Sequence, residues 1–238
     1  MSKVLVCQCY IIPDNYNSNH YEYSFESVKR YCDKFGFDYH NELYESKNYK
    51  PFALNNFYFE RYKFVEKLEE YDHVLYLDSD IIVNNFNKNI IDEYKDKLGL
   101  GVNYSIVNDY LEIDSYKFNR PLNSGVLLFN RKTNNHMFPL HKWPNTFYDK
   151  TPWYKSLDQY SHLTYRWHNK YHLIDDEPML ARLIPIMQIP SFHIDYEWNT
   201  FATNRDLHSL KNSYFLHYGM SEGKKQLIKN HYNLIMEQ

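Results

Sequence analysis

The sequence predicts a single α/β domain whose central sheet begins with parallel strands. Two observations carry that expectation. The opening stretch, up to Leu43, reads strand, loop, helix, strand. Further on, His73-Val74-Leu75-Tyr76-Leu77 is nearly all apolar, which is the pattern of a strand buried on both faces in the middle of such a sheet. A chain of 238 residues is long enough to bury one core of its own without staples.

Taken in order, Lys3 to Cys9 is apolar and rich in β formers, and Pro13-Asp14-Asn15 ends it in turn formers. From Ser24 onward Phe25, Val28, Tyr31, Cys32 and Phe35 recur at helical spacing, and Gly36 follows as a C-terminal cap. Phe37 to Leu43 alternates like a second strand. A second helical pattern runs from about Asn56 through Phe57, Arg61, Phe64, Val65 and Leu68, ending at Tyr71-Asp72. The apolar run His73 to Leu77 follows and places Asp78 at its carboxyl end, where open α/β sheets bind their ligands. Leu98 to Val102 and Gly125 to Phe129 predict further strands. Beyond a Trp- and Tyr-dense region, Trp143 to Trp167, come a short helix Pro178 to Ile184, a strand-like Ile186 to Ile189, a strand Tyr214-Phe215-Leu216 and a closing helix from about Lys224. There is no repeat, linker or low-complexity tract.

Composition narrows the function classes. A net charge of −3 provides no concentrated basic face, which sets nucleic acid aside as a partner. Aromatic residues make 18% of the chain, with 25 tyrosines whose ring and hydroxyl suit pockets for bases and sugars, although an AT-rich genome would produce the same bias. Cys7, Cys9 and Cys32 are odd in number and fall in a predicted strand and helix, which argues against a disulfide framework and for a reducing compartment. The apolar run Val4 to Cys9, interrupted by Gln8, is too short for a signal-peptide core. No later stretch reaches the roughly 18 apolar residues of a membrane-spanning helix. A soluble, cytoplasmic protein is expected, of bacterial or viral origin, with peripheral membrane association left open.

Asp78-Ser79-Asp80 sets two carboxylates one residue apart just past the buried strand, where both can turn toward one hard cation. Mg²⁺ or Mn²⁺ suits such oxygen ligands and fills its remaining positions with water and substrate phosphates. The bland alternative is a turn in which one carboxylate caps a helix and the other is solvated.

The segment His73 to Val83 resembles the metal-binding stretch of glycogenin-like and lipopolysaccharide-galactosyltransferase-like enzymes, which are retaining glycosyltransferases. Further matches follow in the family's order. Leu122-Asn123-Ser124-Gly125-Val126-Leu127-Leu128-Phe129-Asn130 is similar to its Asn-Ser-Gly strand, and Asp175-Asp176-Glu177 stands where it has Asp-Gln-Asp. Trp198-Asn199 resembles an aromatic-Asn pair, and Leu216-His217-Tyr218-Gly219 resembles the segment whose His is the third metal ligand. Asp14-Asn15-Tyr16 is similar to the nucleobase loop, and Arg61 matches a basic residue near the diphosphate. Two departures stand out. Gly219 and Lys224 follow His217 at spacings one residue different from the family's, which leaves Lys224 and Lys225 as competing phosphate contacts. Asp176 replaces a Gln that lies beneath the reacting sugar, which bears on retention or inversion.

The resemblance implies a single GT-A domain over residues 1–238, a Rossmann-like mixed central sheet flanked by helices. Residues 1–110 would form the nucleotide-sugar half and 111–238 the acceptor half. It implies Mn²⁺ or Mg²⁺ on Asp78, Asp80 and His217. The nucleotide-sugar donor, UDP-glucose or UDP-galactose, would lie against Tyr10, Tyr16, Arg61, Asp78, Ser79, Asn123, Ser124 and Lys224. Asp175 and Asp176 would be catalytic, and the acceptor a glycan, a lipid-linked glycan or a protein, with a homodimer left open. Plain structural roles compete: His217 as a core histidine, Asp175-Asp176-Glu177 as a helix N-cap, Tyr10 and Tyr16 as cover for the sheet end, Arg61 as a solvated helix residue. A haloacid-dehalogenase-like phosphatase with Asp78 as nucleophile is the rival enzyme, but a full β-α-β-α unit precedes its motif here and Ile82 stands where it prefers Thr or Val. A sugar nucleotidyltransferase needs a Gly-rich loop, and Cys9 to Asn19 contains no Gly. A non-catalytic carbohydrate-binding protein would have no need of Asp78, Asp80 and His217 together.

Overall fold

The computed structural model describes residues 2–12, 20–49, 57–104, 112–113, 116–117, 122–133, 177, 180, 184, 189–202, 207–219 and 224–237. Strand β1 (Val4–Ile12) leads to helix α1 (His20–Phe35) and strand β2 (Asp38–Glu45), the expected β-α-β start, with β2 parallel to β1. Gly36 sits at φ +70°, and the Phe37 amide donates back to the Cys32 carbonyl at 2.9 Å, so α1 ends on the predicted glycine in a Schellman-type cap. β3 (His73–Leu77) is buried along its whole length, and the short β4 (Ile81–Val83) follows it. Helix α2 (Ile90–Tyr94) then precedes β5 (Leu100–Tyr104), the β6–β7 hairpin (Glu112–Ile113, Tyr116–Lys117) and β8 (Leu122–Asn130). The chain closes through β9 (Ser191–His193), β10 (Thr200–Phe201), β11 (Phe215–His217) and helix α3 (Lys224–Met236).

The main sheet has the order β2-β1-β3-β8-β5-β9. It is mixed: β2, β1 and β3 are parallel, β8 runs antiparallel to both β3 and β5, and β9 is parallel to β5. Side chains alternate across it into two apolar layers. Leu5, Cys7, Val74, Tyr76, Leu127 and Phe129 face one side, whereas Val4, Val6, Leu75, Leu77, Val126 and Leu128 pack with Val28, Tyr31 and Cys32 of α1 on the other. This double burial explains why the central strands read as unbroken apolar runs. A second sheet, β10-β11-β4, joins α3 through Ile82, Leu216, Tyr218, Ile228 and Tyr232.

Four details depart from expectation. The second helix, Phe57–Glu69, is a 3₁₀ helix; its buried residues fall in rows three apart, Arg61 with Phe64 and Tyr62 with Val65 and Leu68, which suits three residues per turn. No strand includes Ile189: its amide donates to the Ile184 carbonyl at 2.9 Å, and the ladder resumes at Ser191. β8 begins at Leu122, three residues before the Gly125 expected from the apolar run, and the last strand reaches His217 instead of stopping at Leu216. Leu180 and Ile184 are helical as expected, and so is Glu177, which stands before the predicted start at Pro178; the Trp143 to Trp167 region lies outside the described residues. Among the described residues no helix is long and apolar enough to cross a membrane.

Candidate metal and donor site

The order β2-β1-β3 puts the carboxyl end of β3 beside that of β1, the kind of crevice in which open α/β sheets hold ligands. There the chain turns sharply, with the Ile81 amide donating to the Asp78 carbonyl at 3.1 Å. The turn is tied down from both sides. The Asp78 amide donates to the Gly125 carbonyl of β8 at 2.8 Å, and Gln8 Nε2 of β1 donates to the Asp78 carbonyl at 3.0 Å. Gln8 also donates to Ser24 Oγ and accepts from Tyr39 OH, each at 2.9 Å, and Ser24 Oγ donates to the Ile81 carbonyl at 2.6 Å. In the sequence Gln8 only interrupts an apolar run. A lone amide inside a buried strand needs partners, and that need was the available signal for its role.

β11 supplies the third side chain. Its antiparallel register with β4 pairs His217 with Ile81, and the Tyr218 amide donates to the Asp80 carbonyl at 3.2 Å. His217 Nε2 lies 3.3 Å from Asp80 Oδ1 and 3.7 Å from Asp78 Oδ2. One ligand atom from each of Asp78, Asp80 and His217 lies within 4.8 Å of the others. Adjacent ligands on an octahedral ion with bonds of about 2.1 Å stand about 3 Å apart, so two carboxylates and an imidazole at these spacings fit Mg²⁺ or Mn²⁺ after a small contraction.

Each carboxylate turns its other oxygen to a cation. Arg61 Nη2 sits 3.1 Å from Asp78 Oδ1, and Lys224 Nζ, at the start of α3, pairs with Asp80 Oδ2. Arg61 Nη1 donates to the Ser124 carbonyl at 2.7 Å and to Ser124 Oγ, and the guanidinium lies 5.1 Å over the Tyr76 ring. Arg61 is therefore a buried bracket between β3 and β8 and not a solvated helix residue. Gly125 leaves the space that His217 occupies: a Cβ there would meet His217 Cε1 at 2.4 Å and Nδ1 at 2.8 Å.

Charge is balanced within the cluster. Burial works to raise the Asp80 carboxyl, but the charge and hydrogen bond of His217, then those of Lys224, outweigh it and hold Asp80 below the usual carboxylate range. Burial likewise works to lower His217, yet Asp80 and then Asp78 keep its pKa above the ordinary 6.5. In the absence of metal a proton on His217 stands in for a cation between the two carboxylates, and a bound metal must displace it.

Of the other expected site residues, Ser79 occupies the turn between the two aspartates, and Ser124 receives Arg61. Asn123 Nδ2 and the Ser124 amide both donate to Glu177 Oε1 at 3.0 Å. Tyr10 lies in β1, two residues before its end, with its ring stacked on Tyr21 at 4.6 Å. Lys224 reaches the cluster, and Lys225 is exposed on the next position of α3. Tyr16, Asp175 and Asp176 lie outside the described residues.

Neither a family model nor a curated protein matches the sequence. In three dimensions the chain is similar to a glycosyltransferase involved in the glycosylation of the major capsid of PBCV-1, with a TM-score of 0.62 and 16% identity over 99% of this chain and 100% of that one. The chain has the GT-A glycosyltransferase fold. The WbbM bifunctional glycosyltransferase is similar at a TM-score of 0.56 and 11% identity; the match takes in 99% of the present chain but only 51% of WbbM, so this GT-A domain spans about half that protein. In this fold the two aspartates stand just past the carboxyl end of β3, the strand between the parallel β1 and the antiparallel β8, and His217 reaches them from β11.

Proposed function

We propose that the chain is a metal-dependent glycosyltransferase that moves a hexose, with retention, from UDP-glucose or UDP-galactose to a glycan, lipid-linked glycan or protein acceptor. One observation carries this reading: Asp78, Asp80 and His217 converge, in a glycosyltransferase fold, at the sheet end where such a fold holds its ligand. Asp78, Asp80 and His217 would hold a divalent ion, which would supply positive charge to offset the charge that grows on the diphosphate leaving group. Arg61 and Lys224, now held by the outer oxygens of Asp78 and Asp80, supply further positive charge at the same point. Tyr10 and Tyr16 would serve the nucleobase, and Ser79, Asn123 and Ser124 the pyrophosphate and sugar. Asp175 and Asp176 would be the catalytic carboxylates, one to orient the sugar or take the acceptor's proton. Residues 1–110 form the donor half and 111–238 the acceptor half of a cytoplasmic enzyme. The viral-capsid neighbour favours a protein-linked glycan as acceptor. The phosphatase and carbohydrate-binding alternatives gain nothing from the fold.

The test is calorimetric titration of the protein with a panel of nucleotide sugars, with and without Mn²⁺, beside the Asp80→Asn variant, each mixture then assayed for released nucleotide. Binding of one UDP-hexose that requires both Mn²⁺ and Asp80, with slow nucleotide release, is expected. No binding of any nucleotide sugar, together with metal-dependent phosphate-ester hydrolysis that requires Asp78, would replace this reading with the phosphatase.

A further inference from the structure

A histidine offers a lone pair at Nε2 only when its ring is neutral and the proton sits on Nδ1. Which nitrogen of His217 carries that proton is decided by a chain of hydrogen bonds leading away from the metal site. Asn123 Oδ1 accepts from the backbone amide of Gly125 at 3.0 Å, and a backbone N–H can only donate, so the orientation of the Asn123 amide is set. Its Nδ2 then donates to Glu177 Oε1 at 3.0 Å, the direction a carboxylate requires. Asn123 Oδ1 also accepts from Asn199 Nδ2 at 2.7 Å. Asn199 must therefore turn its own Oδ1 to His217, and that oxygen lies 3.0 Å from Nδ1. An amide oxygen only accepts, so Nδ1 is the donor. Every link points the same way, from His217 toward the Glu177 carboxylate.

Asn199 has little freedom to do otherwise. It is fully buried, it follows Trp198, and the Trp198 ring is stacked on Tyr214 at 4.2 Å and set edge-on to Phe215. On the other face of the site Phe201 stacks on the imidazole at 4.9 Å, which limits rotation of His217 itself.

We propose that Asn199, oriented by Asn123 and Glu177, is a positioning residue that holds His217 in the Nδ1–H form with Nε2 directed to a divalent cation between Asp78 and Asp80. The metal half of this statement rests on the function proposed above; the tautomer half stands on the hydrogen bonds alone. Asn123, expected to serve the donor sugar, acts in this arrangement through the histidine as well. A hydrogen-bonded partner of this kind orients a ligating imidazole and raises its basicity.

Two readouts test it. The first is the two-bond ¹H–¹⁵N spectrum of protein saturated with diamagnetic Mg²⁺, which takes the place of the proton between Nε2 and the carboxylates, with the ring signals assigned by their loss in His217→Gln. Wild type is expected to show a protonated Nδ1 and a bare Nε2. The second is Mn²⁺ affinity, followed by electron paramagnetic resonance of the free ion. Asn199→Leu is expected to shift the ring toward Nε2–H and to weaken Mn²⁺ binding by about 10–100-fold. Asn199→Asp still offers Nδ1 an accepting oxygen but can no longer donate to Asn123 Oδ1, so it is expected to keep the Nδ1–H form that Asn199→Leu loses. A wild-type ring protonated on Nε2, or an Asn199→Leu protein with unchanged tautomer and Mn²⁺ affinity, would overturn the proposal. The wild-type spectrum needs no variant, so a poorly folded Asn199→Leu leaves the test intact. Wild-type protein with an Nδ1–H ring but no affinity for Mn²⁺ would instead remove the metal-dependent function and the metal half of the proposal with it.

Discussion

Gly125→Ala is a one-methyl test of the site's geometry. The added Cβ would stand 2.4 Å from His217 Cε1 and 3.0 Å from Asn123 Oδ1. Carbon atoms in good contact lie about 3.5 Å apart, so ring and strand must separate by about 1 Å. Neither yields easily: Asn199 holds the ring at Nδ1, and β8 is tied to the β3 side at this point, where the Gly125 carbonyl accepts from the Asp78 amide and Val126 pairs with Leu77. Overpacking of this kind costs about 1–3 kcal/mol. A displacement of about 1 Å in a catalytic group can cost about 100-fold in rate, and disturbed ligand support about 10–100-fold in metal affinity. The assay pairs thermal unfolding with Mn²⁺ titration and uses Gly101→Ala as its control. A Cβ at Gly101 would meet Phe192 at 2.8 Å, on β5 and away from the cluster, so that variant should lose stability while keeping its Mn²⁺ affinity. If Gly125→Ala binds Mn²⁺ as tightly as wild type, His217 does not lie against β8 as described, and the argument for it as a ligand fails.

Mn²⁺ affinity should fall as the pH drops through the titration of His217, because the metal displaces its proton; with that pKa raised by Asp80 and Asp78, the midpoint should lie above 6.5, and a midpoint below it would contradict the electrostatics. The same shift means that His217 stabilises the metal-free fold fully below pH 6.5 and progressively less as pH rises through the raised value, a loss that added Mn²⁺ should reverse in denaturant titrations. Arg61→Lys keeps the charge but cannot hold Asp78 and Ser124 together; the loss of one charge-assisted hydrogen bond, about 1.5–3 kcal/mol, should appear as roughly a 10–100-fold drop in kcat/KM for nucleotide release. His73 is buried at the start of β3 and neither ring nitrogen has a hydrogen-bond partner among the described residues, so His73→Leu should stabilise the protein by about 1–2 kcal/mol in urea unfolding. Burial lowers the His73 pKa, so the unfolded chain takes up the proton first and stability falls as pH drops below 6.5; the advantage of His73→Leu should therefore be larger at pH 5.5 than at pH 7.5.

Much of the fold was legible because it depends on short-range pattern. Helical spacing from Phe25 to Phe35 and a glycine at 36 suffice for α1 and its cap, and an apolar run of five suffices for β3. The position of Asp78 and Asp80 follows directly, since it needs only the end of that strand. The 3₁₀ geometry of Phe57–Glu69 was not legible, because a pattern such as Arg61, Phe64, Val65 and Leu68 satisfies both three- and four-residue spacing. Asn199 and Glu177 were visible only as members of short matches, and Gln8 only as an interruption.

Sequence alone, then, determined the parallel start of the sheet, the strand that ends at two carboxylates, and a histidine and a lysine of suitable chemistry far along the chain. Tertiary structure decided which atoms meet. The antiparallel pairing of β11 with β4 brings His217 to Asp80, α3 brings Lys224 to the same carboxylate, and the arginine on the 3₁₀ helix closes on Asp78. Residue type and local period are properties of a few neighbouring positions, whereas these contacts are set by strand register and packing between segments far apart in the chain. The direction of the hydrogen bonds from His217 to Glu177 lies at the same level, because an amide's donor and acceptor ends are assigned only by the partners that the fold puts beside it.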